Sequence, residues 1–166
     1  MVPYILVAII AYAIGSINFS VIISRKLAGS TNMLRSVGKK AALLTLICDI
    51  LKGVVAIFIA IVIGKIIKDF NGQSYLVQIA AMAVVIGHTY PIFFEFKGGK
   101  GVATSLGVLL MTNWQIGLIC LIFALVLMAV TRMVSLGSIS AAVLFPVLTL
   151  FIKTHYIIPG NGYFIY

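Results

Sequence analysis

From Gly101 to Thr131 the chain runs for 31 consecutive residues without a formal charge, and this stretch restricts the fold more than any other feature of the sequence. A helix crossing the hydrocarbon layer needs about 20 residues. The stretch is therefore too long for one crossing and must contain a turn. Thr112-Asn113-Trp114 is the expected place, because Asn favours turns and Trp prefers the membrane–water interface. The piece before that turn is short. At about 1.5 Å of rise per residue, it is expected to cross a thinned region or to re-enter.

The remaining apolar runs extend this pattern, and spans are expected near 3–24, 41–63, 75–94, 102–112, 114–131 and 136–152. The composition, 63% hydrophobic and 9% charged with a mean hydropathy of +1.23, excludes a water-soluble domain. The many Ile and Val residues lie in charge-bounded runs long enough for membrane helices, which decides against strands. The expected class is thus an all-α integral membrane protein, a multi-span helical bundle of about six spans forming a single domain over residues 1–166. The run from Val2 to Ser24 has no basic segment before it and no small-residue cleavage site after it, so it is read as a retained first helix. Cys48 and Cys120 both sit inside apolar runs, where they act as small hydrophobes and support neither a disulfide framework nor a zinc site.

A net charge of +9 raises the question of nucleic acid, but the cations do not follow one aromatic-studded face and no nucleic-acid partner is expected. They mark loops. Arg25, Lys26, Arg35, Lys39 and Lys40 fall in the first loop, Lys97 and Lys100 in the third, and Arg132 after the fifth span. The positive-inside tendency places these loops in the cytoplasm and Lys65, Lys68, Asp69 and Lys153 outside. The acidic residues are only Asp49, Asp69 and Glu95, too scattered to hold magnesium, so no metal and no cofactor are expected.

Chemistry concentrates between His88 and Thr104. Gly98, Gly99 and Gly101 can adopt dihedrals closed to other residues, which lets backbone N–H groups turn toward an oxyanion while Lys100 supplies the opposing charge. The helix that follows adds the positive end of its dipole. Lys100 is followed by Gly101 rather than Ser or Thr, and the upstream Gly of a Walker A motif is missing, so no nucleotide hydrolase is indicated. His88 is either a general acid or base, since imidazole titrates near neutrality, or a group that hydrogen-bonds a neighbouring loop. Asp49 and Lys52, three residues apart within an apolar run, are expected to share a helix face as an ion pair, either functional or bracing the helix ends. Gly29-Ser30-Thr31-Asn32-Met33-Leu34-Arg35 offers hydroxyls, an amide and a guanidinium able to grip phosphate through its fork, and the small-polar loop from Arg132 to Ser140 is expected on the same face. No Ser-His-Asp order or Cys–His pairing is present. What remains is an enzyme that positions and neutralises a phosphorylated substrate. A phosphate or organophosphate transporter is the alternative from another class, and no pair of repeated, broken halves supports it.

Several segments together carry a resemblance: Gly15-Ser16-Ile17-Asn18-Phe19 in the first helix, Ser30-Thr31-Asn32-Met33-Leu34-Arg35 with Gly38-Lys39-Lys40, Asp49-Ile50-Leu51-Lys52-Gly53, Gly87-His88-Thr89-Tyr90-Pro91, the glycine loop from Phe96 to Thr104, and Val134-Ser135-Leu136-Gly137-Ser138-Ile139. In these the chain resembles the PlsY-type bacterial acyl-phosphate:glycerol-3-phosphate acyltransferases along nearly its whole length. The resemblance implies transfer of a fatty acyl group from acyl phosphate to the 1-hydroxyl of glycerol 3-phosphate, yielding lysophosphatidic acid and phosphate. It further implies a multi-pass protein of the bacterial cell membrane, functioning as a monomer among membrane lipid. Lys100 and Arg35 become the expected catalytic residues. Thr31, Asn32, Gly98, Gly99, Gly101, Thr104, Ser138 and His88 are the expected substrate-binding set. Two departures stand out. Leu27-Ala28-Gly29 leads straight into Ser30 without the family's Gly-Ser-Gly-Asn-x-Gly element, and the family's seventh helix and cytoplasmic tail are expected to be lacking beyond Tyr166, which leaves a noncatalytic relative as a further alternative.

Overall fold

The computed structural model describes residues 1–24, 37–67 and 73–152, apart from the side chains of 73 and 74. Among these the regular structure is entirely helical: α1 (Val2–Ser16), α2 (Phe19–Ser24), α3 (Lys39–Ile66), α4 (Gln73–Thr89), a 3₁₀ turn (Ile92–Phe94), α5 (Val102–Thr112), α6 (Trp114–Thr131) and α7 (Val134–Phe151). Thr31, Asn32, Arg35, Lys68, Asp69 and Lys153, like the proposed loss of loop and tail elements, lie outside the described residues. Five segments are long and apolar enough to cross a membrane, namely Val2–Ile23, Lys39–Ile66, Tyr75–Phe94, Trp114–Thr131 and Val134–Phe151. Helix α5, at 11 residues, is the short one anticipated after the glycine loop and spans only about 16 Å.

The uncharged stretch turns where its residue chemistry requires. Asn113 leaves helical geometry (φ −148°, ψ 82°), and its side-chain oxygen accepts a hydrogen bond from Ile116 N–H at 3.2 Å, capping α6. Asn113 is buried, so that cap is not exchanged for water. Asn113→Ala is expected to cost about 1 kcal/mol, read as a lowered thermal unfolding midpoint of the detergent-solubilised protein.

The described residues fall into two compact units, one running to Val108 and the other beginning at Leu109. In the first, α1 packs along α4, and α4 along α3. Small residues make these crossings close. A Cβ added to Gly15 would overlap the Val84 carbonyl oxygen, and one added to Gly87 would overlap that of Tyr12. A second reciprocal pair joins α3 to α5, with Gly53 against the Thr104 carbonyl and Gly107 against that of Ile50. Close backbone approach of this kind drives helix association in lipid, where burying apolar surface gains little. Between the crossings Val7, Ala11, Ile57, Ala60, Leu76, Ala80 and Val84 are buried, while Ile5, Ile9, Leu43, Leu44 and Phe58 face outward. The inside of this unit holds the polar groups: Ser16, Asn18, Ser20, Thr45, Asp49, Lys52, His88 and Thr104 are all buried. That inversion suits a hydrocarbon solvent.

The first span differs from the expected continuous helix. It breaks at Ile17–Asn18, where Ile17 is extended (φ −70°, ψ 107°). Asn18 makes the restart possible, its side-chain oxygen accepting from Ser20 Oγ at 2.6 Å and from Val21 N–H at 3.4 Å at the head of α2. Backbone carbonyls released by such a break need donors in lipid, and a donor from another helix supplies them, as described below.

In the second unit α6 and α7 fold against each other through a connection in which Arg132 closes α6 in the left-handed region (φ 57°). Thr131 Oγ1 donates to the Leu127 carbonyl at 2.6 Å. Gly137 lies against the Ala124 carbonyl and the Met128 side chain, letting the two helices meet just beyond the connection.

Candidate active site

Lys52 is the donor that the broken first span requires. Its Nζ donates to the carbonyls of Gly15 at 3.1 Å and Ile17 at 3.0 Å, and stands 3.0 Å from Asp49 Oδ1. The ion pair read from the spacing of Asp49 and Lys52 is thus present, and its ammonium also completes the backbone of another helix. With Asp49 and Lys52 only 2% and 4% exposed, neither charge is solvated by bulk water, so each depends on these partners.

His88, on the last turn of α4, meets the same carboxylate from the other side, with Nδ1 3.6 Å from Asp49 Oδ1. Its main-chain carbonyl accepts the Gly99 N–H at 3.1 Å. Its ring lies against Gly99 so closely that a Cβ there would overlap Nε2. The preceding residue is equally confined, because a Cβ on Gly98 would overlap the His88 carbonyl. These glycines therefore serve first to seat the loop on the end of α4, and the Gly99 amide is committed to His88 rather than turned toward an incoming anion. Gly101 does use a glycine conformation, at φ +77°, and hands the chain into α5, where Ser105 N–H bonds its carbonyl at 2.8 Å. Between them Lys100 is exposed.

Upstream, the turn that carries the loop is tied to α1 twice: Tyr12 Oη donates to the Tyr90 carbonyl at 2.8 Å, and Ile92 N–H approaches Ser16 Oγ at 3.4 Å. Glu95 and Phe96 both take left-handed backbone (φ 52° and 59°), an arrangement non-glycine residues rarely adopt. Glu95 accepts from Lys97 at 2.8 Å with both side chains in the open, at 81% and 80% exposure. The Lys97 ammonium holds the Glu95 carboxyl below the usual carboxylate range, and the carboxylate in turn pushes Lys97 above the usual lysine range. Lys97 thus has its charge offset locally. Exposed pairs of this type contribute little. Glu95→Gln is accordingly expected to leave turnover within about twofold of wild type, measured under the conditions given below.

Of the remaining expected site residues, Thr104 sits in the first turn of α5, fully buried, and its Oγ1 has no hydrogen-bond partner among the described residues; Thr45 Oγ1 and Asn18 Nδ2 are in the same condition. Ser138 belongs to the second unit, and its hydroxyl donates to the Ser135 carbonyl at 2.9 Å. The structure therefore brings together His88, Gly98, Gly99, Gly101, Lys100 and Thr104 around the α4–α5 connection. Asn18 and Thr45 were not singled out as functional by sequence. An amide in the middle of an apolar run was the available signal for Asn18. Beside the break, Ile14, Ile17, Phe19, Cys48, Leu51, Lys52 and Val55 line an apolar cleft of about 280 Å³. No group of three or more His, Cys, Asp or Glu able to hold a metal occurs among the described residues.

A bundle with an apolar exterior, buried ionisable groups and several helices of membrane length defines a helical integral membrane protein. The sequence profile described as glycerol-3-phosphate acyltransferase matches residues 5–165. The glycerol-3-phosphate acyltransferase of Paraburkholderia phymatum is 44% identical over 153 residues, covering 85% of this chain and 71% of that protein. That of Clostridioides difficile is 38% identical over 163 residues, covering 90% and 78%. The crystal structure of PlsY, an integral membrane glycerol 3-phosphate acyltransferase, in its glycerol 3-phosphate form superimposes with a TM-score of 0.78 at 34% identity, covering 93% of this chain and 79% of that one. Its lysophosphatidic acid form gives 0.77 at 35%, covering 89% and 76%. The chain belongs to the glycerol-3-phosphate acyltransferase family.

Proposed function

We propose that this protein transfers a fatty acyl group from acyl phosphate to the 1-hydroxyl of glycerol 3-phosphate, forming 1-acyl-sn-glycerol 3-phosphate and inorganic phosphate. The observation that carries this reading is the exposed Lys100 on a loop clamped between α4 and α5, in a chain that matches the acyltransferase family from residue 5 to residue 165.

In the reaction, the hydroxyl oxygen attacks the acyl carbonyl carbon, the bond from that carbon to the phosphate oxygen breaks, and the hydroxyl proton leaves on a phosphate oxygen. Acyl phosphate is already activated, so rate is gained by holding the reactants together and neutralising charge on the departing phosphate. We assign that neutralisation to Lys100 and Arg35. Gly98, Gly99 and Gly101 shape the loop, while Thr104 lines its base. The assignments of Arg35, Thr31, Asn32 and Ser138 rest on the family pattern. We give no proton transfer to His88: at 4% exposure its ring is covered by Gly99. With a phosphate oxygen as base, the mechanism needs no protein base. The positive-inside pattern supports placing the Lys100 loop on the cytoplasmic face of a bacterial membrane.

The test is incubation of the purified, detergent-solubilised protein with palmitoyl phosphate and glycerol 3-phosphate, following phosphate release and the lysophospholipid. Equimolar release of both supports the reading. Binding of glycerol 3-phosphate without either product would reject it in favour of transport or a noncatalytic relative.

A further inference from the structure

Asp49 and His88 take no chemical part in the reaction as written, yet both are buried at its edge and bear on the residue next to Lys100. We propose that they form a positioning pair that fixes the Lys100 loop, Asp49 acting on the His88 ring and His88 acting on Gly99. This rests on the acyltransferase reading and adds to it.

Three observations lead there. His88 holds Gly99 twice, through the hydrogen bond from Gly99 N–H to its carbonyl at 3.1 Å and through a ring packed so tightly that only glycine fits opposite Nε2. The opposite ring nitrogen, Nδ1, faces Asp49 Oδ1 at 3.6 Å and makes no hydrogen bond among the described residues. A proton carried on Nδ1 is attracted to the carboxylate, which selects one ring orientation and directs Nε2 at the loop. The carboxylate is itself anchored, because the Lys52 ammonium 3.0 Å away also binds the Gly15 and Ile17 carbonyls. A continuous series of contacts thus runs from the break in the first span to the residue preceding Lys100. Simple packing does not account for it. A buried ionic cluster is a poor means of adding stability, and its best-attested use is to impose one arrangement over others. Placement matters here because a shift of about 1 Å in a group that orients substrate can cost about a hundredfold in rate.

The experiment compares wild type, His88→Ala, His88→Asn, Lys100→Met and the His88→Ala/Lys100→Met double variant, all purified in detergent. Activity is read as kcat/KM for glycerol 3-phosphate with palmitoyl phosphate. Labelling of Lys100 by an amine-reactive ester, read by peptide mass, follows the loop without relying on turnover. His88→Ala is expected to lower kcat/KM about tenfold or more in the wild-type background and to change the Lys100 labelling rate, but to add less than about twofold on top of Lys100→Met, the non-additivity of residues acting through one another. His88→Asn, whose amide N–H replaces Nδ1–H toward Asp49, should recover part of the loss. Equal losses in both backgrounds with unchanged labelling would overturn the pair, as would an Asn variant no better than Ala. If His88→Ala does not accumulate as folded protein, His88→Asn takes its place in the cycle. Absence of turnover in wild type overturns the acyltransferase reading, and the labelling rates then judge the positioning pair separately.

Discussion

Lys100→Met leaves the protein folded and extractable at wild-type yield while lowering its turnover of palmitoyl phosphate and glycerol 3-phosphate by about a hundredfold or more, the scale on which loss of one preorganised charge at a reacting centre is felt. The fold is spared because Lys100 is exposed and lies outside the helix crossings, and methionine keeps the apolar length of the side chain. On the proposed mechanism the activity is not spared, because the ammonium is assigned to the charge that develops on the departing phosphate. In free energy a hundredfold is about 2.7 kcal/mol of transition-state stabilisation. Lys100→Arg is a useful companion, since a planar fork does not reproduce a compact ammonium and recovery should be partial. Retention of near-wild-type turnover in the Met variant would remove Lys100 from the chemistry and return the loop to an ordinary connection.

The second large effect is structural. Gly107→Leu should cost about 3 kcal/mol or more and lose activity with it, because the obstacle is backbone and cannot rotate aside. A Cβ there would overlap the Ile50 carbonyl oxygen and come within 3.0 Å of its carbon, and Gly53 meets the Thr104 carbonyl reciprocally. Prying α5 from α3 would also displace the start of α5, and Lys100 lies two residues before it. Gly117→Ala is the control. There the nearest atoms to an added Cβ, the backbone of Leu109 and Leu110, stand at 3.3 Å and need to give only a few tenths of an ångström, so the unfolding midpoint should fall less than for Gly107→Leu. Comparable thermal midpoints for the Gly107 and Gly117 variants would show that the reciprocal glycine crossing is not what holds α3 and α5 together.

Local features of this fold were legible in sequence. The turn at Asn113 followed from a charge-free stretch too long for one crossing, and the Asp49–Lys52 pair from an i, i+3 spacing. The break in the first span was not legible, because hydropathy averages over a window and one amide does not interrupt a run of Ile, Val and Phe. Its compensation was further out of reach, since Lys52 bonds carbonyls 35 and 37 residues away and helical spacing identifies only neighbours on the same helix. The glycine loop was half legible. Flexibility next to a lysine pointed to an anion, but that the Gly99 amide belongs to His88 depends on a fold in which the chain turns back on the end of its own helix.

The ammonium that spans the gap at Ile17 also bears on biogenesis. Hydrocarbon offers no substitute for water at the Gly15 and Ile17 oxygens, so an isolated first segment released into lipid would carry two bare acceptors, each costing several kcal/mol. Lys52, arriving alone, would keep Asp49 beside it but lack the two carbonyl acceptors that its remaining ammonium hydrogens bond here. Each segment thus supplies what the other lacks, so the two are cheaper to hold in the bilayer side by side than apart.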